Sequence, residues 1–245
     1  MSQTDTRVRA GRGWVIDLAL AAAFVVLTVA LARGHLLAVD ARVADWVGTH
    51  RPAPLYWTAR VCNYVGQGGQ VLMPVAIVLA VLLAWQRRSV RPLLVFAAAF
   101  LLLYVTVGPL KLWLHRAAPA YPGPDRTILF NPAPRGAAAL SYPSGHLANT
   151  LVWYGVIALL AAALFRLTPG RVRALRLVPP VIVFVTTIYT GFHWLTDSVA
   201  GVLIGLVLTR LLDRVRWDDL PLPGLRGWGG TAGLTPPRRP PASPA

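Results

Sequence analysis

Six long apolar runs dominate this sequence and leave few folds open to it. They cover Trp14 to Ala32, about Gln70 to Trp85, Leu93 to about Leu114, Leu147 to Phe165, about Val178 to Trp194, and Asp197 to Leu212. A helix that crosses about 30 Å of hydrocarbon needs roughly 20 mostly apolar residues. Water is absent there, so backbone N–H and C=O groups must pair within the segment, which a helix does. The charge content agrees. Of the 245 residues 13% are charged and 56% hydrophobic, whereas soluble domains carry about 25% charged residues. The runs predict an all-α fold: one compact bundle of about six transmembrane helices.

The basic residues orient that bundle. Lys111 is the one lysine; the rest are arginines. Arg7, Arg9 and Arg12 precede the first run. Arg87, Arg88 and Arg91 join the second to the third, and Arg166, Arg171, Arg173 and Arg176 join the fourth to the fifth. Arg210, Arg214, Arg216, Arg226, Arg238 and Arg239 end the sixth and follow it. All fall on one side of a six-span topology, and the positive-inside rule makes that side cytoplasmic. Both termini are then inside, with residues 1–13 as a cytoplasmic N-terminus and 14–216 as the membrane domain. Residues 217–245 are rich in Pro, Gly and Arg, cannot bury a core, and read as a disordered cytoplasmic tail. Two longer segments lie outside, about Arg33 to Gly69 and His115 to Gly145. The first holds a short amphipathic helix near Leu37–Val47 at the interface; the second reads as an ordered loop.

Composition also excludes several chemistries. All nine acidic residues are Asp, so no glutamate takes part in any mechanism. Cys62 is the sole cysteine, which rules out an intrachain disulfide and a thiolate metal cluster. The net charge of +15 would suit nucleic acid. The arginines, however, sit in short groups between apolar runs without an aromatic-interleaved stripe, so topology accounts for them and no nucleic-acid partner is expected. The first run lacks a small-residue cleavage site and reads as a retained helix. Arginine and alanine richness points to a GC-rich bacterial genome, and so to a bacterial cytoplasmic membrane.

Polar groups at membrane depth are costly, so each needs a reason. Three clusters end up at the outer ends of the runs. Lys111 closes the third run and Arg116 follows. Pro143-Ser144-Gly145-His146 opens the fourth. His193 and Asp197 span the join between the fifth and sixth. Pro143 and Gly145 shape a turn before a helix, whose free N–H groups and dipole favour an anion. Ser144 adds a hydroxyl there, or caps the helix with it, and His146 sets an imidazole beside the same place. His193 and Asp197, four residues apart, share one helical face, where a carboxylate can hold an imidazole tautomer as in a nucleophile–base–orienter set.

In this order, on one membrane face, the clusters resemble the type 2 phosphatidic acid phosphatase (PAP2) superfamily, whose motifs are K-x6-R-P, P-S-G-H and S-R-x5-H-x3-D. Ser141 to His146 and Gly191 to Gly201 look like the second and third motifs, and the likeness runs from Lys111 to Asp197. It implies a PAP2/chloroperoxidase-like bundle and a metal-free, cofactor-free mechanism. In that mechanism His193 attacks phosphorus to form a phosphohistidine, Asp197 orients it, and His146 protonates the leaving group. Lys111, Ser144 and Gly145 hold the phosphoryl oxygens. The substrate class implied is a lipid phosphate monoester or diphosphate, polyprenyl or glycerolipid, hydrolysed at the extracytoplasmic face.

Two positions depart from the pattern. The arginine of the first motif falls at Ala118, before Pro119, and the Ser-Arg pair of the third falls at Thr186-Thr187. Arginines there would make charge-assisted, often bidentate contacts to phosphate. Arg116, Arg126 and Arg135 are the nearest candidates to replace them, and Arg116 is taken as a phosphate ligand. A second reading follows from the same departures: a silent or altered relative that binds a phospholipid, or passes the phosphoryl group to an acceptor other than water. Asp17, inside the first run near its inner end, reads as a neutralised or interface residue.

Overall fold

The computed structural model describes residues 3–222 and Leu234, and these form eight α-helices: α1 (Gln3–Ala32), α2 (Leu37–Thr49), α3 (Ala53–Asn63), α4 (Met73–Arg87), α5 (Arg91–Leu114), α6 (Gly145–Phe165), α7 (Pro169–Tyr189) and α8 (Leu195–Arg214). A π-helical turn, Gly68–Leu72, leads directly into α4. Six segments are long and apolar enough to cross a membrane: Gly13–Ala32, Gly68–Arg87, Arg91–Leu114, Gly145–Phe165, Pro169–Tyr189 and Leu195–Arg214. These are the six expected runs, and the all-helical membrane bundle stands as read from them.

Helix α6 is the centre of the bundle. Of its span 61% is buried, against 17% for the first and fifth spans. Around it pack Ala76, Ala80 and Leu83 of α4, Val95, Ala99, Leu103 and Val107 of α5, and Leu208 and Leu212 of α8. The spacing of three or four keeps each set on one helical face. Lipid tails are as apolar as these side chains, so close packing rather than water exclusion holds such helices together, and small residues permit it. Gly201 and Gly205 accordingly bring α8 against Ser144, Ala148 and Leu151. The outward faces carry exposed Val, Leu, Ile and Trp, as lipid contact requires.

One helix boundary differs widely from the apolar pattern. The fifth run was expected over about Val178–Trp194, but α7 starts at Pro169 and ends at Tyr189. Its first turns carry Arg171, Arg173 and Arg176, which hide them from a search for apolar residues. Thr168 caps it by accepting from the Arg171 N–H, with Pro169 in the first turn. The end is set by Gly191, whose φ of +75° lies where a side chain would be strained. The amides of Phe192 and His193 then return to the Thr187 carbonyl, at 3.0 and 3.3 Å. This closed turn frees His193 from the helix and aims it inward.

The segment before α4 holds the amphipathic helix as α2 and one helix more, α3, opened by Pro52 and Pro54. At the opposite end of the bundle, Asp17 of α1 accepts from Arg210 at 2.5 Å and pairs with Arg214, locking α1 to α8. The tail expected to be disordered from residue 217 begins with a 3-10 turn, Trp217–Asp219. Arg91 donates to the carbonyls of Trp217 and Leu220, and Leu234 is buried. Residues 223–233 and 235–245, where the rest of that expectation falls, lie outside the described residues.

Candidate active site

Four of the expected residues meet in one cavity of about 500 Å³: Lys111, Gly145, His146 and His193 line it. Helix α5 brings Lys111, the start of α6 brings Gly145 and His146, and the α7–α8 turn brings His193. The two imidazoles face each other, His146 Nδ1 lying 3.1 Å from His193 Nε2. Lys111 is tethered by a 2.5 Å bond to the Leu140 carbonyl. An ammonium has three donors, so this tether leaves it able to meet an anion. His146 Nε2 is buried without a hydrogen-bond partner among the described residues. The His146 ring stacks on Phe192, 5.7 Å between centroids and 10° from parallel, and the Arg60 guanidinium lies over Phe192 at 4.7 Å.

Asp197 sits behind His193, fully buried. Its Oδ2 is 3.7 Å from His193 Nδ1, beyond a hydrogen bond. Ser141 fills the gap: its Oγ is 3.3 Å from His193 Nδ1 and donates to Asp197 Oδ2 at 2.5 Å. The Trp194 amide also donates to Oδ2, at 3.0 Å. Burial holds the His193 imidazole below its ordinary pKa, against the opposing pull of Asp197, so the ring is neutral at neutral pH.

Arg116, expected as a phosphate ligand, lies instead behind His193, against Asp197. Its side chain is 0% exposed. Nη1 donates to Asp197 Oδ1 at 2.5 Å and Thr196 Oγ1 at 2.8 Å, Nη2 to Asp40 Oδ2 at 2.6 Å, and Nε to the Thr127 carbonyl at 2.7 Å. A planar guanidinium fits two flanking carboxylates in this way, and their pull leaves no donor edge turned to the cavity. Burial opposes its charge, but Asp197 and Asp40 more than offset that and raise its pKa. Asp40, from α2, also accepts from the Thr196 amide at 3.0 Å.

The remaining expected residues are placed as follows. Ser144 is fully buried and accepts from the Leu147 N–H as the α6 cap, while its amide donates to the Asp197 carbonyl at 2.9 Å. Ala118 lines the cavity wall. Thr187 is buried and its hydroxyl is bonded to the Val183 carbonyl of its own helix. Arg126 donates to the Pro119 carbonyl and lies over Trp194, lining a separate cavity of about 460 Å³ on the α2 side of His193. Arg135 is exposed. Among the described residues, no arginine lines the cavity that holds Lys111.

Several wall residues carry no motif. Gly66 to Gly69, at the entry to α4, form one side, and Asn149, one turn along α6, forms another. A Cβ on Gly68 would come within 2.6 Å of Asn149 Oδ1, so a larger residue there would have to move the Asn149 side chain. Asp40 had a weak sequence signal, an acid near the start of an amphipathic helix that also carries Asp45. The Gly66–Gly69 wall had none beyond its glycines.

The PAP2 superfamily model matches residues 92–220. No curated protein matches the chain. A solved structure of similar fold is a transmembrane PAP2-type phosphatidylglycerolphosphate phosphatase from Bacillus subtilis, with 22% identity and a TM-score of 0.67, covering 80% of this chain and 94% of that one.

Proposed function

The chain belongs to the PAP2 superfamily, and from that premise we propose that it is a membrane lipid phosphatase working through a phosphohistidine on His193. The observation that carries the proposal is the facing pair of imidazoles, 3.1 Å apart and beside a buried lysine. His193 Nε2 is the nucleophile. A phosphoryl group inserted between the rings is attacked by Nε2 while its leaving oxygen takes a proton from His146 Nδ1. Lys111 and the backbone around Gly145 balance the charge on the equatorial oxygens. Water then attacks the phosphohistidine, giving a proton back to His146 as the P–N bond breaks; inorganic phosphate leaves and both imidazoles return to their starting states.

The substrate class is a lipid phosphate monoester or diphosphate, polyprenyl or glycerolipid. Arginine placement supports a cytoplasmic location for both termini and an extracytoplasmic site, in a bacterial cytoplasmic membrane. One observation favours a second reading: the cavity has a lysine but no arginine among its described lining residues. That suits a relative that holds a phospholipid without cleaving it, or one that passes the phosphoryl group to another acceptor. Purified protein in nanodiscs, given a panel of lipid phosphates, separates the readings. Phosphate release by the wild type and none by His193→Ala is expected. Equal background release from both contradicts hydrolysis of those lipids.

A further inference from the structure

We infer that Ser141 is the positioning residue through which Asp197 orients His193. The inference rests on the proposed role of His193 and adds a link that the His-x3-Asp spacing does not contain. A carboxylate accepts only, and a hydroxyl has one proton to give. With Ser141 Oγ 2.5 Å from Asp197 Oδ2, that proton goes to Asp197. The serine oxygen is then left to accept, and its neighbour is His193 Nδ1 at 3.3 Å. His193 is therefore protonated on Nδ1, and the lone pair of Nε2 points at His146 and the cavity. Asp197 does not do this directly: it stands 3.7 Å from Nδ1, held there by Arg116 on Oδ1 and the Trp194 amide on Oδ2.

Ser141 is itself fixed for the task. It is 3% exposed. Its amide donates to the Arg116 carbonyl at 3.0 Å, and the Arg116 amide donates to the Ala139 carbonyl at 2.9 Å, an isolated bridge between the chain segments at Arg116 and Leu140. The backbone that carries Arg116 to Asp197 thus also carries Ser141 to His193. Without the hydroxyl, the Nδ1 proton faces a carboxylate too far to bond. The imidazole is then free to rotate or to take the other tautomer, in which Nε2 carries a proton and cannot attack.

The test compares wild type, Ser141→Ala and Ser141→Thr in nanodiscs, by steady-state phosphate release and by nitrogen NMR of labelled histidines. Ser141→Ala should lose roughly 10²-fold or more in kcat with KM unchanged, and Ser141→Thr, which keeps the hydroxyl, should recover most of it. The NMR spectrum should show His193 protonated on Nδ1 in wild type and a mixed tautomer in Ser141→Ala. A wild-type kcat in Ser141→Ala overturns the inference, as does a loss carried by KM alone, which would make the serine a substrate contact. An unchanged His193 tautomer also overturns it. If the wild type releases no phosphate from any lipid, the phosphatase reading fails, and the tautomer comparison still decides the role of Ser141.

Discussion

The two sides of His193 are built differently. Behind the ring, Asp40, Arg116, Thr196, Asp197 and Ser141 form a closed set in which donors meet acceptors at 2.5 to 3.3 Å, all buried. In front, a cavity of about 500 Å³ is lined by the one lysine, a glycine-rich loop and His146, whose buried Nε2 has no hydrogen-bond partner among the described residues. The chain therefore places Arg116 against the carboxylate behind His193, and no arginine among the described residues lines the cavity in front. Summed formally, two carboxylates and one guanidinium leave one negative charge behind the imidazole. In the proposed mechanism that charge favours the positive ring formed on phosphorylation of His193. In the same mechanism the front changes shape, since the 3.1 Å gap between the imidazoles must widen to admit a phosphoryl group.

This contrast breaks most severely at Arg116. Arg116→Ala leaves Asp40 and Asp197 buried without their shared partner, which should cost about 3–5 kcal/mol of stability and abolish turnover. Thermal unfolding in detergent checks the first and phosphate release the second. Arg116→Lys should not rescue, because a point charge cannot meet four acceptors in one plane. On the front, Lys111→Ala should lower kcat/KM by about 10²–10³ with little change in unfolding temperature. A loss of stability there instead would erase the distinction between the two sides.

Smaller effects sharpen it. Ala118→Arg adds a guanidinium to the cavity wall, and a charge-assisted bond is worth about 1.5–3 kcal/mol, so KM for a lipid phosphate should fall by roughly tenfold or more. An unchanged KM would mean that the wall at Ala118 does not face the phosphate. Gly68→Ala crowds the Asn149 side chain; overpacking of this kind costs about 1–3 kcal/mol of stability, to be read as a fall in the unfolding temperature. The smallest effect is in pH. Attack needs a neutral His193, and burial lowers its pKa. The acid limb of kcat/KM should therefore lie below the ordinary histidine value of about 6.5, and a limb at or above that value contradicts the buried placement.

The sequence shows the parts of this molecule that depend on local pattern. The six spans follow from apolar length, and Lys111, His146 and His193 from their positions at helix ends. What escapes it depends on contacts distant in the chain. Asp40 meets Thr196 across 156 residues, and Ser141 meets Asp197 across 56. No periodicity encodes such pairs. Arg116 shows the same limit from the other direction: a cation beside the first cluster looks like a phosphate ligand until two buried carboxylates are found around it. The early start of α7 is hidden for a different reason, since its arginines lower the apparent hydropathy of turns that are helical all the same.

The most direct test of the phosphohistidine is to trap it. A ³²P-labelled lipid phosphate that the protein cleaves is mixed with enzyme in nanodiscs, and the reaction is quenched in alkali within a turnover. The account predicts a label on the wild-type chain that survives base and is lost in acid, as expected for phosphorus on nitrogen, and none on His193→Ala. Steady phosphate release with no label on the wild type, or release that persists in His193→Ala, would contradict it.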